Sequence, residues 1–380
     1  MPPVSLSQLP TDLLVSITSH LIPAHQLSLV LTCRSLHRRL LPFYHASSSR
    51  HPAALLHASA TGLVLLASAL LASGADPDAQ DQHGLTPLDH AARGGQTEVI
   101  SVLLSAAATL SLRKGGRQPY PLFTPLDHAA KHGHVTAVAQ LHAALAARFP
   151  AAKVADALGR ALLHAVAERR RPVVAWMLEQ AVPAPAARLQ EALHKAAALN
   201  APALVDLLLR ASGVDVNAFP PGQPLTLLHR AVERGRVQMV LLLLAHGAHV
   251  DARDELGLTP LHYAVKGCAG EAAQALVDAG AALDVPSGLG TPFDAALRKG
   301  WGVGVEIIAR AGLVEGWDLG EKWAAVRARR MAGVEDMFLR AVQEALGDEA
   351  LAELLGPDER YAPAGPRLVA GIAMLTGVLQ

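Results

Sequence analysis

The sequence predicts an all-α fold, a solenoid of stacked helix–turn–helix units preceded by a small three-helix module. Three observations indicate it. One short motif recurs along residues 50–315, an apolar stretch with helical spacing follows each copy, and only 4% of the residues are aromatic although 51% are hydrophobic. The apolar residues are therefore mainly Ala, Leu and Val, which suit short helices in close contact. A chain of 380 residues exceeds one ordinary domain unless it grows by adding repeats.

The recurring motif reads LTPLDHAARGG from Leu85 and LTPLHYAVKGC from Leu258. A His or Asp in the middle of each copy measures the period, and neighbouring copies lie between 30 residues (His164 to His194) and 38 residues (Asp89 to Asp127) apart. The eight positions are His57, Asp89, Asp127, His164, His194, His229, His262 and Asp294. A period of this length indicates an array of small structural repeats.

Each copy carries the signals for a helix start and a helix end. A Thr such as Thr86 can accept hydrogen bonds from the free amides of the first turn. The Pro that follows, as at Pro87, is tolerated there because its missing N–H had no partner. A Gly then ends the helix, at Gly94, Gly133, Gly235 and Gly267. The next apolar stretch predicts a second helix, and one such pair cannot bury its apolar face alone, so several pairs must stack.

The T-P-L-H-x-A signature at this period resembles the ankyrin repeat family over residues 50–315. The resemblance implies hydrogen bonds between turns from the motif histidines, and protein binding through the loop tips and the exposed side of the first helix of each pair. The target-binding residues expected on that face are His83, His90, Arg93, His128, Lys131, Phe219, Arg230, Arg253, Glu255, Tyr263 and Lys266. Phe219 and Tyr263 stand out because aromatics are scarce here and Tyr is favoured at interface hot spots.

Two segments depart from the repeat. Residues 105–123 replace the usual loop with a longer basic one, which is either a tolerated insertion or a dedicated contact loop. Residues 181–190 lack the loop signature. After residue 315 the repeat fades, and residues 316–380 predict a helical cap or tail.

Residues 1–48 predict three short helices that are too small for an independent core and should dock on something. Leu9-Pro10, then Asp12-Leu13-Leu14, and then Thr32-Cys33-Arg34 resemble an F-box, although Leu36 stands where many members carry Trp. The resemblance implies docking on a Skp-type adaptor of a cullin–RING ubiquitin ligase. The implied adaptor-binding residues are Leu9, Pro10, Leu13, Leu14, Ile17 and Leu21. The alternative is a helical cap for the first repeat.

Composition argues against other classes of function. Lys and Arg balance Asp and Glu at 33 each, which argues against a general nucleic-acid binder. Two cysteines build no disulfide framework, so we expect an intracellular protein of the cytoplasm or nucleus. The apolar run from Leu63 to Leu71 is well short of the ~20 residues that span a membrane. The N-terminus lacks the basic region of a signal peptide.

Catalytic and metal sites are not expected. His128 and His132 have the spacing of two zinc ligands on one helix face, but no acidic or Cys residue completes the set. No cofactor motif is present, and we expect no enzyme activity. The basic clusters at 169–171 and 327–330 are either solvated helix edges or a nuclear-localisation signal.

The favoured hypothesis is a substrate-receptor subunit whose N-terminal module docks on the ligase adaptor while the repeats bind an unidentified target. A stand-alone ankyrin scaffold is the alternative.

Overall fold

The computed structural model describes residues 53–72, 74–106, 108, 123–180, 184–211, 213–220, 222 and 224–355. The predicted F-box-like module with all six adaptor-binding residues lies outside them, as do residues 109–122 of the basic insertion and residues 356–380. The predictions for those segments stay predictions.

The described helices fall into two units, one within residues 1–214 and one within residues 215–380. In the first, each odd-numbered helix packs on the next odd-numbered helix and each even-numbered helix on the next even-numbered one, so five helix pairs stack in chain order. Its helices are α1 Ala53–Thr61, α2 Val64–Ala72, α3 Pro87–Gly94, α4 Thr97–Ser105, α5 Pro125–His132, α6 Val135–Arg148, α7 Ala151–Ala167, α8 Arg171–Leu178, α9 Ala186–Ala198 and α10 Pro202–Leu209.

The second unit stacks three further pairs and continues into three more helices. Its helices are α11 Leu227–Glu233, α12 Val237–Ala245, α13 Pro260–Gly267, α14 Gly270–Asp278, α15 Pro292–Lys299, α16 Gly302–Val314, α17 Leu319–Arg327, α18 Ala332–Leu346 and α19 Asp348–Leu355. The predicted all-α repeat fold is confirmed, since the described residues form helices and no strand beyond an isolated bridge between Ser287 and Gly290. Within the described part, none of the helices combines the length and apolar character needed to cross a membrane.

The predicted helix starts are present as capping boxes. Asp89 Oδ2 accepts hydrogen bonds from the backbone N–H and the hydroxyl of Thr86, both at 2.8 Å. Asp127 holds Thr124 in the same way, also at 2.8 Å. Such a box satisfies amides that have no partner inside the helix, and Pro occupies the first helical position.

Every pair reverses direction through one residue in the left-handed conformation. After α3 this residue is Gly95, at φ 69°, and the next amide donates to the carbonyl of Ala91 at 2.9 Å. The other left-handed residues of such turns are Gly62, Gly133, Arg169, Asn200, Gly235, Cys268 and Gly300. The left-handed position after α3 and after α13 is therefore one residue later than the expected Gly94 and Gly267, and at three turns it is not a glycine.

The turn from α17 to α18 has the same left-handed residue, Arg330, at φ 52°. Helix α18 packs along α16 as the even-numbered helices of the array pack on one another. The structural pattern therefore continues beyond residue 315, where the sequence motif fades. Its interior is aromatic: the Phe338 ring stacks on Trp323 with centroids 5.7 Å apart and lies 6.3 Å from Phe293.

One irregularity falls at a position that the sequence analysis does not single out. Helices α6 and α7 are 14 and 17 residues long, and only Phe149 and Pro150 connect them. The residues that would form a loop between two pairs elsewhere are helical here, as extensions of α6 and α7. Pro150 has no N–H to continue α6 and stands directly before α7, where a proline is well tolerated.

Gly95 has a second role besides the left-handed conformation. A Cβ at Gly95 would lie 2.5 Å from His134 Nδ1, a residue of the next helix pair, whereas a Cβ at Gly74 would meet nothing within 4 Å. His134 Nε2 lies 3.0 Å from the Arg93 carbonyl, so its ring is held over Gly95. The glycine thus permits the side chain of one pair to lie against the turn of its neighbour.

We expect Gly95→Ala to destabilise the protein more than Gly74→Ala. Both substitutions place an alanine at positive φ, which costs about 1 kcal/mol. Only the first displaces His134 and its hydrogen bond, which adds about 1 kcal/mol. Urea unfolding monitored by circular dichroism measures the difference, and equal losses for the two variants would contradict the close approach of His134.

Candidate partner-binding surface

The loop before α3 is held together by the carboxylate of Asp81. Its Oδ1 accepts the N–H groups of His83 at 2.8 Å and Leu85 at 2.9 Å, and its Oδ2 lies 2.9 Å from Nε2 of His90 on α3. Burial raises the pKa of Asp81, but these hydrogen bonds outweigh it and hold the pKa below its ordinary value. The half-buried His90 therefore ties the loop to the helix, and its availability to a partner is reduced.

The loop before α13 repeats this arrangement with a tyrosine. Asp254 Oδ1 accepts the N–H groups of Leu256 at 2.9 Å and Leu258 at 2.7 Å, and the Tyr263 hydroxyl donates to Oδ2 at 2.9 Å. Burial and this hydrogen bond raise the pKa of Tyr263 above its usual range. Tyr263 is only 7% exposed, which corrects its expected place on the exposed side of the helix. Its hydroxyl is drawn inward because it supplies a donor to the loop carboxylate.

His128 was also expected on the exposed side of its helix, and this expectation is wrong because its side chain is buried. It is 8% exposed because the Phe123 ring covers it, with ring centroids 5.3 Å apart. Phe123 also lies 4.6 Å from the ring of His164, and the Lys131 ammonium group lies 5.2 Å from the Phe123 ring. This part of the predicted face is therefore an aromatic cluster that lies between two pairs.

The other predicted residues keep some accessible surface. His90, Lys131 and Arg230 are half-buried. The exposed ones are His83, Arg93, Phe219, Arg253, Glu255 and Lys266. Their role in binding stays a prediction.

Two exposed loop residues escape the sequence analysis. Leu256 is 72% exposed and Leu289 is 44% exposed, and with Phe219 at 52% they give three consecutive loops of the second unit an accessible apolar side chain. The sequence signal that could have identified them is an apolar residue directly before a loop glycine, Gly257 or Gly290. In the loop before α3 the residue directly before the glycine is the polar His83.

Side chains connect these consecutive loops. Asn217 Oδ1 accepts the N–H of His249 at 2.8 Å, and its Nδ2 donates to the Gly247 carbonyl at 3.3 Å. Asp251 Oδ1 accepts the N–H of Ala282 at 2.9 Å. Each loop is thereby fixed to the backbone of the next one.

Two motif histidines add a further connection between helix and loop. His229 Nδ1 lies 2.8 Å from the Thr226 hydroxyl, and its Nε2 donates to the Leu258 carbonyl at 3.1 Å. His262 pairs in the same way with Thr259 at 2.9 Å and with the Gly290 carbonyl at 3.1 Å. The predicted bonds between turns are confirmed at these two positions. The capping aspartates bind the Thr at the start of their own helix, whereas each of these two histidines also holds the next loop.

The motif histidines of the first unit differ. His57 is exposed, His164 packs edge-on against Phe123, and His194 Nε2 lies 3.1 Å from Gln190 Nε2. In the described ranges no three or more His, Cys, Asp or Glu side chains form a group that could hold a metal ion.

Burial lowers the pKa of both His229 and His262, and the bond to a carbonyl and the charge of Asp254 oppose this only in part. Because the folded pKa lies below the unfolded value near 6.5, the unfolded state takes up protons first as the pH falls. The stability that these rings contribute is therefore present above about pH 6.5 and is lost below it.

We expect a variant with His229→Asp and His262→Asp to be less stable than the wild type by about 1–3 kcal/mol at about pH 7.5, since the bonds to the next loops are lost. The difference should shrink by about pH 5, where the wild-type rings are penalised. Urea unfolding at both pH values tests this. A difference that stays constant with pH would contradict the assignment of buried neutral rings.

Comparison with known proteins agrees with this architecture. The family model for ankyrin repeats, which describes three copies, matches residues 55–149 and 193–287, half of the chain. Mouse protein phosphatase 1 regulatory subunit 27 is 38% identical over 80 residues, which are 21% of this chain and 51% of that protein. The potassium channel AKT3 of Oryza sativa subsp. japonica is 48% identical over 68 residues, 18% of this chain and 7% of the channel.

The NF-kappa-B inhibitor cactus of Drosophila melanogaster is 40% identical over 52 residues, 13% of this chain and 10% of that protein. The chain thus spans less than two thirds of the length of each of these relatives. Ankyrin repeats are modules that bind other proteins. On its helix pairs, its capping boxes and the family match, the chain belongs to the ankyrin repeat family.

Proposed function

We propose that the protein is a protein–protein interaction adaptor without catalytic activity of its own, and that the loop tips of its second unit bind a target protein. The observation that carries the proposal is the row of exposed apolar side chains at Phe219, Leu256 and Leu289. Apolar side chains grouped on a surface favour a partner, since burying each Leu or Phe contributes about 1.5–3 kcal/mol.

The connections between the loops support the same proposal. Asn217 and Asp251 bind backbone groups of the following loops, and His229 and His262 bind their carbonyls. Loops that are held before binding lose less conformational entropy when a partner arrives. A row of apolar tips on such loops therefore suits a protein surface that presents complementary apolar pockets.

The finer proposal is a substrate-receptor subunit of an SCF-type, cullin–RING ubiquitin ligase. It rests on the F-box-like pattern within residues 1–48, which would dock on a Skp-type adaptor while the repeats bind the target. The alternative is a stand-alone ankyrin scaffold with no link to a ligase. Two relatives are named for acting on another protein, as an inhibitor and as a regulatory subunit, which supports the adaptor role common to both alternatives.

The ligase link predicts a direct complex with a purified Skp-type adaptor. We expect the wild type to bind, and the triple variant Leu9→Ala, Pro10→Ala and Leu13→Ala to lose binding at least about tenfold, because apolar anchors dominate such interfaces. The matched control replaces three serines at and just beyond the end of this segment, Ser47, Ser48 and Ser49, with alanine and should bind as the wild type does. A pull-down followed by calorimetry measures this. Failure of the wild type to bind would favour the stand-alone scaffold.

The loop-tip proposal predicts the loss of a target after Phe219→Ser with Leu256→Ser. Two apolar anchors removed together should weaken binding about 10- to 100-fold. The control carries Leu65→Ser and Val314→Ser, which are exposed apolar residues on helices α2 and α16. Proximity labelling in cells should show a partner that the control keeps and the loop-tip variant loses.

Deletion of residues 1–50 separates the two claims in the same assay. That chain should lose ligase subunits and keep the target. Identical labelling by the loop-tip variant and its control would contradict binding through the tips.

A further inference from the structure

The turns that end α3, α5 and α7 are rich in Arg and His side chains, and we name this surface the basic turn edge. Its residues are Arg93, His132, His134, Arg169 and Arg170. These turns follow the C-terminal ends of the first helices, whereas the loops precede the N-terminal ends. Even the eight-residue α3 separates its loop from its turn by about 12 Å. The basic turn edge is thus a surface of its own, separate from the loop tips.

Hydrogen bonds between consecutive pairs hold the three turns side by side. His134 Nε2 donates to the Arg93 carbonyl at 3.0 Å, and Arg170 Nε donates to the Lys131 carbonyl at 3.0 Å. A Cβ at Gly133 would lie 3.0 Å from Arg170 Cδ, so this arginine lies over the turn before it. The side chains of His134 and Arg170 are therefore positioned by the stack itself.

Few carboxylates balance this charge. Burial lowers the pKa of His132, and the charges that add to the effect are Arg93, His134, Lys131 and Arg170. In the part of the chain that the structure describes, no ion pair involves Arg93, Arg169 or Arg170. Glu98 and Glu168 are the acidic residues closest to these turns in the sequence, and both are exposed.

The individual cations differ in what they still offer. Arg93 and Arg170 are exposed, and only the Nε of Arg170 is used in the bond between turns. The Arg169 guanidinium donates to the Leu199 carbonyl. The Lys131 ammonium group points towards the Phe123 ring, and the main contribution of Lys131 to the edge is the carbonyl that accepts from Arg170. Arg93 and Arg170 are therefore the groups best placed to meet an anion.

We propose that the basic turn edge binds an acidic segment of a protein partner, with carboxylates at every third residue of an extended chain. Neighbouring helices pack about 8–10 Å apart, so consecutive turns repeat at about that distance. An extended chain rises about 3.3 Å per residue, so three residues cover one repeat. Arginine suits this contact because its planar group binds carboxylates through two parallel hydrogen bonds.

A protein segment fits better than a nucleic acid. The whole chain has 33 basic and 33 acidic residues, so it lacks the general positive charge that draws in a phosphate backbone. The cations of the edge are instead confined to three neighbouring turns. A short acidic segment can bind such a local patch through contacts at close range, which salt screens less than the attraction between distant charges.

The test uses the full chain and a fluorescent peptide with Glu at every third position and Gly or Ser between. Arg93→Gln with Arg170→Gln should weaken binding about fivefold, as expected for two exposed ion pairs. Arg93→Lys with Arg170→Lys keeps the charge and should retain most of the binding. Lys153→Gln with Arg210→Gln removes the same charge elsewhere in the first unit and should bind as the wild type does. Fluorescence anisotropy measures all four proteins, and added salt should weaken binding.

Two further probes decide the nature of the ligand. A peptide with Gln in place of every Glu should not bind, and an oligonucleotide of equal charge should bind more weakly than the Glu peptide. Equal binding by the Gln variant of the edge and its charge-matched control would overturn the proposal. Tighter binding of the oligonucleotide, lost in the same variant, would replace it with a nucleic-acid surface. Neither result depends on the loop tips, so failure here leaves the proposed function standing.

Discussion

The hydrogen bond that closes each turn between two helices is the constraint on which the stack depends. In eight consecutive pairs the amide after the left-handed residue donates to a carbonyl five residues earlier, and that residue is always alanine. The alanines are Ala58, Ala91, Ala129, Ala165, Ala196, Ala231, Ala264 and Ala296. All are buried, so each turn has a small side chain inside the fold at this position. One local bond thereby fixes the angle within a pair while its alanine permits close stacking between pairs.

The sequence predicts the helix starts well and the turns less well, for a physical reason. A capping Thr and a Pro at the first helical position act locally, so the motif reports them directly. The left-handed residue of a turn is a glycine in some pairs and another residue in others. Arg169, Asn200, Cys268 and Arg330 adopt it as well, because surrounding packing offsets a local cost of about 1 kcal/mol. A search for glycine therefore misses the turn at Arg330, and the sequence predicts an end of the repeat that comes too early.

The candidate surface is harder to predict because exposure depends on partners elsewhere in the repeat. His90 and Tyr263 occupy the same repeat position, and each is drawn to the aspartate of its own loop. An aromatic residue at position 263 predicts a contact with a partner, but the Tyr263 hydroxyl donates instead to Asp254 of its own loop. For Leu256 and Leu289 the expectation is wrong in the opposite sense. Leucine is ordinarily expected to be buried, but these two side chains are exposed on their loops.

The choice between Asp and His at the capping position links stability to the surface. Asp89 binds Thr86 and closes the start of its own helix, whereas His229 and His262 also hold the loop that follows. The apolar tips occur on the loops of the unit that has these histidines. On the basic turn edge the same principle applies, since a side chain of one pair binds the backbone of its neighbour. Neither surface can therefore exist on a single helix pair, because each is assembled by the contacts that stack the pairs.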